Sequence, residues 1–242
     1  MRLPVLFTAS ALLVVLAGCR GAEPAPDPLP TAPDNTAAPA SATTPDQPVP
    51  ASDTLTVVFF GDSLTAGYGL ASPDLAYPAL VGARLEAAGV PARVVNAGVS
   101  GETSAGGLSR VAWALRQTPP DVFVLALGAN DGLRGIDPAV TRDNLGAILD
   151  AVEAAAPDAR LVVAGMEALP NYGEDYGSRF RAVFPAVAEA HGAALVPFLL
   201  DGVAGVAALN QPDGVHPTAE GQRVLAETVA EVLVPVAREA AG

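Results

Sequence analysis

The stretch that decides the fold is LTVVFFGDSLTAG, residues 55–67. Its first six residues form a nearly continuous apolar run, rich in β-branched and aromatic side chains, which is typical of a strand buried on both faces. The glycine and the polar residues that follow indicate a tight turn, and Ser63 stands on it. We therefore expect a central strand that delivers a serine to the edge of a parallel sheet.

Apolar runs and helical patterns alternate along the rest of the chain, from this stretch to the C-terminus. The four further runs that we interpret as buried strands are Arg93 to Asn96, Val122 to Leu127, Leu161 to Gly165 and Ala194 to Pro197. The predicted helices are Tyr77 to Ala88, Ser104 to Arg116, Val140 to Ala155, Asp175 to His191 and Pro217 to about Ala237. This alternation predicts an α/β fold: a three-layer α/β/α sandwich with a five-stranded parallel sheet, of flavodoxin-like type.

Ligand sites in such sheets form beyond the carboxyl ends of the strands, so the loops at that edge carry the candidate functional residues. Ser63 follows the first strand, Gly101 follows the second in NAGVSGETS, and Asn130 follows the third in LGAND. Asp213 and His216 stand together in DGVHP before the last helix. Each signal alone has a structural alternative, because serine caps helices and glycine and asparagine favour turns.

Together these residue types suit nucleophilic catalysis. A serine hydroxyl is a poor nucleophile until an imidazole accepts its proton, and a carboxylate fixes the tautomer of that imidazole. His191, the other histidine, stands before Gly192 at the end of a predicted helix, which favours a capping role. His216 is therefore the candidate base. Asp62 is more suited to holding the turn beside Ser63 through hydrogen bonds to the backbone.

The order Ser, Gly, Asn and Asp-x-x-His resembles the four-block signature of the SGNH (GDSL) hydrolase superfamily. The similarity is greatest to its bacterial thioesterase, lysophospholipase and arylesterase branch, through 61–69, 101–108, 128–135, 170–173 and 213–217. The resemblance implies a catalytic triad of Ser63, His216 and Asp213. It also implies an oxyanion hole formed by the Ser63 amide, the Gly101 amide and the Asn130 side chain.

Two segments after strand ends are candidates for the walls of the acyl site. They are Arg134 in GLRG and the segment from Glu167 to Tyr172, and a solvated loop is the alternative for each single residue. We expect Arg134, Glu167 and Tyr172 to contact the substrate.

Composition excludes several other chemistries. The chain has 26 acidic residues against 13 basic ones, a net charge of −13, which disfavours nucleic acid as a partner. All the basic residues are arginine, so a Schiff-base lysine and the lysine of a P-loop are excluded. One cysteine and two histidines make a zinc cluster improbable. We expect no metal and no cofactor, and a monomeric domain.

The first 18 residues form a predicted export signal, with Arg2 before an apolar run too short to span a membrane comfortably. The run ends in LAGC, which resembles the lipobox of bacterial lipoproteins and implies lipidation of Cys19. An ordinary signal peptide with a chance cysteine is the alternative. Residues 19–52, rich in proline, alanine and threonine, predict a disordered tether, and residues 53–242 the catalytic domain.

These interpretations predict a serine esterase of the bacterial cell envelope that acts on carboxylic esters or thioesters with acyl chains, including lipid esters. Arg20 after Cys19, by resemblance to lipoprotein sorting rules, favours the outer membrane in a cell with two membranes. Two alternatives remain: a carbohydrate O-deacetylase with the same catalytic residues, and a lipoprotein that binds lipid or glycan without catalysis.

Overall fold

Strands and helices alternate through residues 54–242, which are the residues that the computed structural model describes. The strands are β1 (Leu55–Gly61), β2 (Ala92–Gly98), β3 (Val122–Ala126), β4 (Arg160–Ala164) and β5 (Ala194–Val196). The α-helices are α1 (Ser63–Ala66), α2 (Tyr77–Ala87), α3 (Ser104–Gln117), α4 (Ala129–Leu133), α5 (Pro138–Ala155), α6 (Glu174–Arg181), α7 (Val183–Ala190) and α8 (Ala219–Ala240). The predicted signal peptide, Cys19 and the tether lie outside the described residues.

All neighbouring strands are parallel, in the order β2-β1-β3-β4-β5. Helix α2 packs against α8, while α5 packs against both α3 and α7. The helices therefore cover the two faces of the sheet, and the predicted three-layer α/β sandwich is confirmed.

The core forms around β1 because adjacent side chains of a strand point to opposite faces. Phe59 packs edge-on against Tyr77 of α2, with ring centroids 5.6 Å apart. Phe60 points to the other face, where it lies 5.5 Å from Phe123 of β3. Both phenylalanines are fully buried, and burial of such a side chain contributes about 1.5–3 kcal/mol. Strand β1 thus holds both helical layers.

All five predicted strands are present, but two of them are less buried than predicted. β2 and β5 lie at the edges of the sheet, and most of their residues are only half-buried. Apolar runs identified these strands correctly, because an edge strand still packs both faces against helices. The runs carry no information about which strand lacks a neighbour.

Two helix predictions require correction. The segment predicted as one helix from Asp175 to His191 is two helices, α6 and α7, which meet at Ala182. Pro185 explains the break, because proline has no N–H and its ring clashes with the carbonyl four residues earlier. The last helix begins at Ala219 and not at Pro217, since Thr218 is its cap and its side chain accepts from the Gly221 amide.

Among the described residues, no helix is both long enough and apolar enough to cross a membrane.

Candidate active site

Three side chains from opposite ends of the domain form one hydrogen-bonded chain. The Nε2 atom of His216 lies 2.9 Å from the Oγ atom of Ser63, and its Nδ1 atom lies 2.7 Å from Oδ2 of Asp213. A carboxylate accepts hydrogen bonds, so the proton of a neutral His216 ring belongs on Nδ1. Nε2 then has a free lone pair that faces the serine hydroxyl.

The turn that presents Ser63 is held by the preceding residue. Asp62 caps α1: its Oδ1 atom accepts from the Leu64 amide at 3.0 Å, and the residue is only 1% exposed. Ser63 is the first residue of α1, where backbone amides have no acceptor within the helix. Asp62 therefore has the turn-holding position that the sequence indicated, and Ser63 is not the cap.

Burial strongly perturbs Asp62. Loss of solvation raises the pKa of its carboxyl group to about 7, although the hydrogen bond from the Leu64 amide and the nearby His216 act in the opposite direction. The Oδ2 atom lies 3.5 Å from Nδ2 of Asn130. A group with this pKa changes its charge within the pH range in which enzymes commonly operate.

Asp213 is held as a carboxylate by its own loop. The backbone amides of His216 and Val215 donate to its Oδ1 atom at 3.0 and 2.9 Å. These bonds, with the His216 ring, hold the pKa of Asp213 well below its usual range, the His216 amide being the largest cause. The acceptor for the His216 ring is therefore charged at every pH at which the protein would be assayed.

Contacts that the sequence did not reveal fix the His216 loop to the Ser63 loop. The Gln211 side chain donates to the carbonyl oxygens of Tyr68 at 2.7 Å and of Pro217 at 3.0 Å. The Tyr68 ring packs on the His216 ring, with centroids 4.6 Å apart. Nothing in the local sequence pattern signals Gln211 or Tyr68, because both act between segments that are far apart in the chain.

The two predicted oxyanion donors outside α1 lie on adjacent loops. Gly101 has a φ of +80°, a conformation that favours glycine, and it lines the same cavity as Ser63 and Asn130. The Asn130 Nδ2 atom donates to the Glu102 carbonyl at 3.0 Å and, in a longer and weaker bond of 3.5 Å, to Asp62 Oδ2, so an oxyanion there would replace the longer bond. Asn130 belongs to α4, a short helix that was not among the predicted helices.

A buried carboxylate fastens these two loops together. Asp131, only 1% exposed, accepts from the Ser104 amide at 2.8 Å and from the Ser104 hydroxyl at 2.5 Å. Thr141 of α5 donates to the same carboxylate at 3.2 Å. Asp131 thus joins the N-terminus of α3, which follows Gly101, to α4, which carries Asn130. Sequence analysis missed this role.

A partly buried ion pair supports the loop after β2. Arg110 pairs with Glu102, its Nη2 atom donates to the Ala97 carbonyl at 2.8 Å, and its guanidinium lies 3.8 Å from the centre of the Phe60 ring. The eight-residue spacing of this pair gave no local signal. The pair holds the loop before α3 against β1.

Next to Ser63 lies a cavity of about 650 Å³ with predominantly apolar walls. The residues that form its sides and entrance are Ser63, Leu64, Tyr68, Ser100, Gly101, Ala129, Asn130, Leu133, Met166, Glu167, Ala168, Leu169, Pro170, Phe198, Leu200, Ala204, Gly205, Asn210, Gly214, Val215 and His216. Its size is within the usual range for small-molecule sites. The cavity can accept an apolar group attached to a carbonyl at Ser63.

The tentative substrate-binding residues divide into two groups. Glu167 lines the cavity, and its carboxylate pairs with Arg181 at 2.8 Å. Arg134 and Tyr172 are not among the lining residues. The Arg134 guanidinium donates to the Gly101 carbonyl at 3.1 Å, and the Tyr172 hydroxyl donates to the Leu133 carbonyl at 2.9 Å. These two residues therefore bond to the backbone of lining residues and do not line the cavity themselves.

His191 lies apart from this site, as the sequence indicated. It is the C-terminal cap of α7, and its Nδ1 atom lies 3.1 Å from Glu153 and 4.0 Å from Asp150 of α5.

The sequence from residue 59 to residue 224 matches the GDSL-like Lipase/Acylhydrolase family. Esterase TesA of Pseudomonas aeruginosa is 44% identical over 186 residues, which are 77% of this chain and 90% of that protein. Thioesterase 1/protease 1/lysophospholipase L1 of Escherichia coli strain K12 is 38% identical over 186 residues, covering 77% of this chain and 86% of that protein.

The crystal structure of TesA superposes with a TM-score of 0.71 at 41% identity. The match covers 75% of this chain and 99% of the TesA chain. Almost every residue of the TesA structure therefore has a counterpart in this chain. The fold, the family match and these relatives agree with the resemblance inferred from the four motifs. The chain belongs to the GDSL-like lipase/acylhydrolase family of ester hydrolases.

Proposed function

We propose that Ser63 is the nucleophile of a serine esterase that acts on carboxylic esters or thioesters with acyl chains. The observation that carries this proposal is the hydrogen-bonded chain from Ser63 Oγ through the His216 ring to Asp213. The relatives named esterase and thioesterase/lysophospholipase support the same class of substrate. The chain is an ester-bond hydrolase, and the roles of single residues are the proposed part.

In the first half of the reaction, His216 Nε2 takes the proton of Ser63 as Oγ forms a bond to the carbonyl carbon. The carbonyl oxygen becomes an oxyanion, which accepts hydrogen bonds from the Ser63 amide, the Gly101 amide and Asn130 Nδ2. The bond to the leaving group then breaks, and His216 gives its proton to the departing alcohol or thiol. An acyl-enzyme ester on Ser63 remains.

Water completes the reaction by the same steps. His216 takes a proton from the water as its oxygen attacks the acyl carbonyl, and the second oxyanion uses the same donors. Collapse of this intermediate releases the carboxylic acid, and the proton returns from His216 to Ser63. Asp213 keeps its charge throughout and stabilises the imidazolium.

The apolar cavity favours acyl chains over the other two readings of the sequence. A site for acetylated polysaccharide needs polar groups to bind sugar hydroxyls, whereas this cavity is lined mainly by leucine, alanine, methionine, phenylalanine and glycine. A non-catalytic binding protein has no need for a serine, a histidine and an aspartate in hydrogen-bonding register.

The first experiment is hydrolysis of p-nitrophenyl esters of increasing chain length by residues 53–242. We expect Ser63→Ala to lower kcat by about 10⁴-fold or more, because the nucleophile cannot be replaced by its neighbours. Ser109→Ala is the matched control, since Ser109 lies exposed on α3 and bonds only to the Gly106 carbonyl. Equal activity in Ser63→Ala and the unaltered domain contradicts the proposal.

We also propose that lipid on Cys19 attaches the mature protein to the bacterial envelope, facing away from the cytoplasm, in the outer membrane if the cell has two. The support is the LAGC sequence at the end of the apolar segment. Several acyl chains give lasting attachment, because each buried methylene contributes about 0.8 kcal/mol. We expect Cys19→Ser to move the protein from the membrane fraction to the soluble fraction, and unchanged fractionation contradicts the anchor.

A further inference from the structure

Exposed apolar side chains are concentrated around the entrance of the active-site cavity. Among the described residues, nine large hydrophobic side chains are at least 36% exposed. Four of them line the cavity, and three more stand beside lining residues or bond to them. We call these seven the apolar rim: Tyr68, Val99, Leu133, Leu169, Tyr172, Val206 and Val215. Of the other two, Trp113 lines a second, smaller cleft together with Val99, and Val140 lines neither cleft.

The rim residues come from the loops that follow all five strands of the sheet. Val99 directly follows β2, and Leu133 ends α4 after β3. Leu169 and Tyr172 follow β4. Tyr68 follows β1, Val206 follows β5 and Val215 precedes α8. Scattered single apolar residues are normal on a surface, but a group of seven around one opening indicates an interaction site.

Three charged groups beside the rim pair with other groups of the protein. The Arg134 guanidinium bonds to the Gly101 carbonyl, Glu167 pairs with Arg181, and Asp213 bonds to His216. The chain as a whole has a net charge of −13. A surface of this kind gains its binding energy from apolar burial and gains nothing from anionic headgroups.

We propose that the apolar rim docks on a zwitterionic lipid surface, such as a phosphatidylcholine bilayer or micelle. The proposal rests on the proposed function, and it specifies that the acyl substrate passes from that surface directly into the cavity. The rim is continuous with the cavity walls at Tyr68, Leu133, Leu169 and Val215. An acyl chain therefore moves from one apolar environment to another without crossing water, which removes the cost of exposing it.

A lipid surface fits the rim better than a protein does. A folded partner seated on all seven rim residues closes the entrance through which the substrate must pass. A second copy of the chain also brings together two domains with the same large negative charge, which repel each other.

Co-sedimentation of residues 53–242 with phosphatidylcholine vesicles tests the proposal. The match covers 99% of the TesA chain, and TesA crystallised as a domain of that size. Residues 53–242 are therefore expected to fold on their own. We expect the double variant Val99→Ser/Val206→Ser to bind the vesicles at least about fivefold more weakly, because it removes exposed apolar area. Neither residue lines the cavity, so hydrolysis of water-soluble p-nitrophenyl butyrate is expected to stay within twofold.

The single variants Val206→Ser and Val140→Ser form the matched pair, since each removes one similarly exposed valine and only Val206 stands beside a residue that lines the cavity. An equal loss of vesicle binding in Val206→Ser and Val140→Ser overturns the proposal, as does stronger binding to anionic phosphatidylglycerol vesicles. Absence of binding while p-nitrophenyl butyrate is hydrolysed also overturns it and leaves the esterase function intact.

Vesicle binding without ester hydrolysis supports docking and contradicts the function. A dimer that the rim variant converts to a monomer assigns the rim to self-association and overturns lipid docking.

Discussion

Single residues in the site fall into those that touch the reacting atoms and those that fix their positions. In the proposed mechanism Ser63, His216 and Asn130 belong to the first group, and the sequence singled them out because each chemical step needs a particular type of side chain. Asp131 and Gln211 belong to the second group. Their bonds span segments remote in sequence, so no local pattern indicates them.

Asn130→Ala tests the oxyanion hole. We expect kcat to fall by about 10²–10³-fold and KM to change little, because the amide donates most strongly to the charge that develops in the transition state. Steady-state kinetics on a p-nitrophenyl ester give both parameters. A change confined to KM assigns Asn130 to substrate binding instead.

Asp62→Asn tests the effect of burial on the carboxyl group. Between the ordinary pKa of 3.8 and the raised pKa of about 7, the folded protein retains a proton that the unfolded chain has lost. The free energy of unfolding therefore decreases as pH rises through this window, by at most about 4 kcal/mol, and levels off above it.

Asparagine keeps the cap on Leu64 but does not titrate. We expect urea unfolding at several pH values to show that the difference in stability between Asp62→Asn and the unaltered domain grows from pH 4 to pH 7. Asp213 has a lowered pKa in both proteins, so its contribution to the pH dependence of stability cancels in this difference. A difference that does not vary with pH means that Asp62 is ionised in the folded protein.

At the scale of elements, α8 determines where the catalytic loop lies. Thr218 caps this helix, and the Thr218 amide donates to the Leu209 carbonyl at 2.8 Å. Gly221, one turn into the helix, is so close to Leu209 that a Cβ atom would overlap its carbonyl oxygen and approach the Pro217 ring. The start of α8 and the segment 209–217 are therefore packed without spare room.

Gly221→Ala is expected to displace this segment, and with it Asp213 and His216. We expect loss of ester hydrolysis by at least about tenfold, since small misplacements of catalytic groups have large effects. Gly177→Ala in α6 is the control, because a Cβ atom there meets nothing within 4 Å. That change is expected to raise stability by about 0.5–1 kcal/mol. Full activity in Gly221→Ala contradicts this account of the packing.

Most elements of the fold were predictable from sequence, because long apolar runs and helical periodicity report burial directly. The exceptions have physical causes. Pro185 divides α6 from α7, and Thr218 caps α8 in place of the expected start at Pro217. α4 is five residues long, too short for a periodic pattern, and it gains its order from Asp131.

At the scale of the whole molecule, the excess of acidic residues destabilises the folded state through charge repulsion. Residues 53–242 contain 22 acidic and 11 basic residues, and their net charge of −11 produces repulsion that the folded state concentrates and that salt screens. We expect the midpoint of thermal unfolding of residues 53–242 to rise by about 2–4 °C between 10 and 300 mM NaCl, equivalent to about 1 kcal/mol. Calorimetry measures it. A lower midpoint in salt means that attractive pairs such as Arg84–Glu227 outweigh the repulsion.

The two hydrogen bonds of the Ser63–His216–Asp213 chain join residues at very different separations in the sequence. The histidine and the aspartate are three residues apart, whereas the histidine and the serine are 153 residues apart. During refolding, the short bond forms with its own loop at little cost in loop-closure entropy, and only the long one requires the ends of the domain to meet. Recovery of hydrolysis after dilution from denaturant therefore cannot precede the arrival of the C-terminal segment at β1.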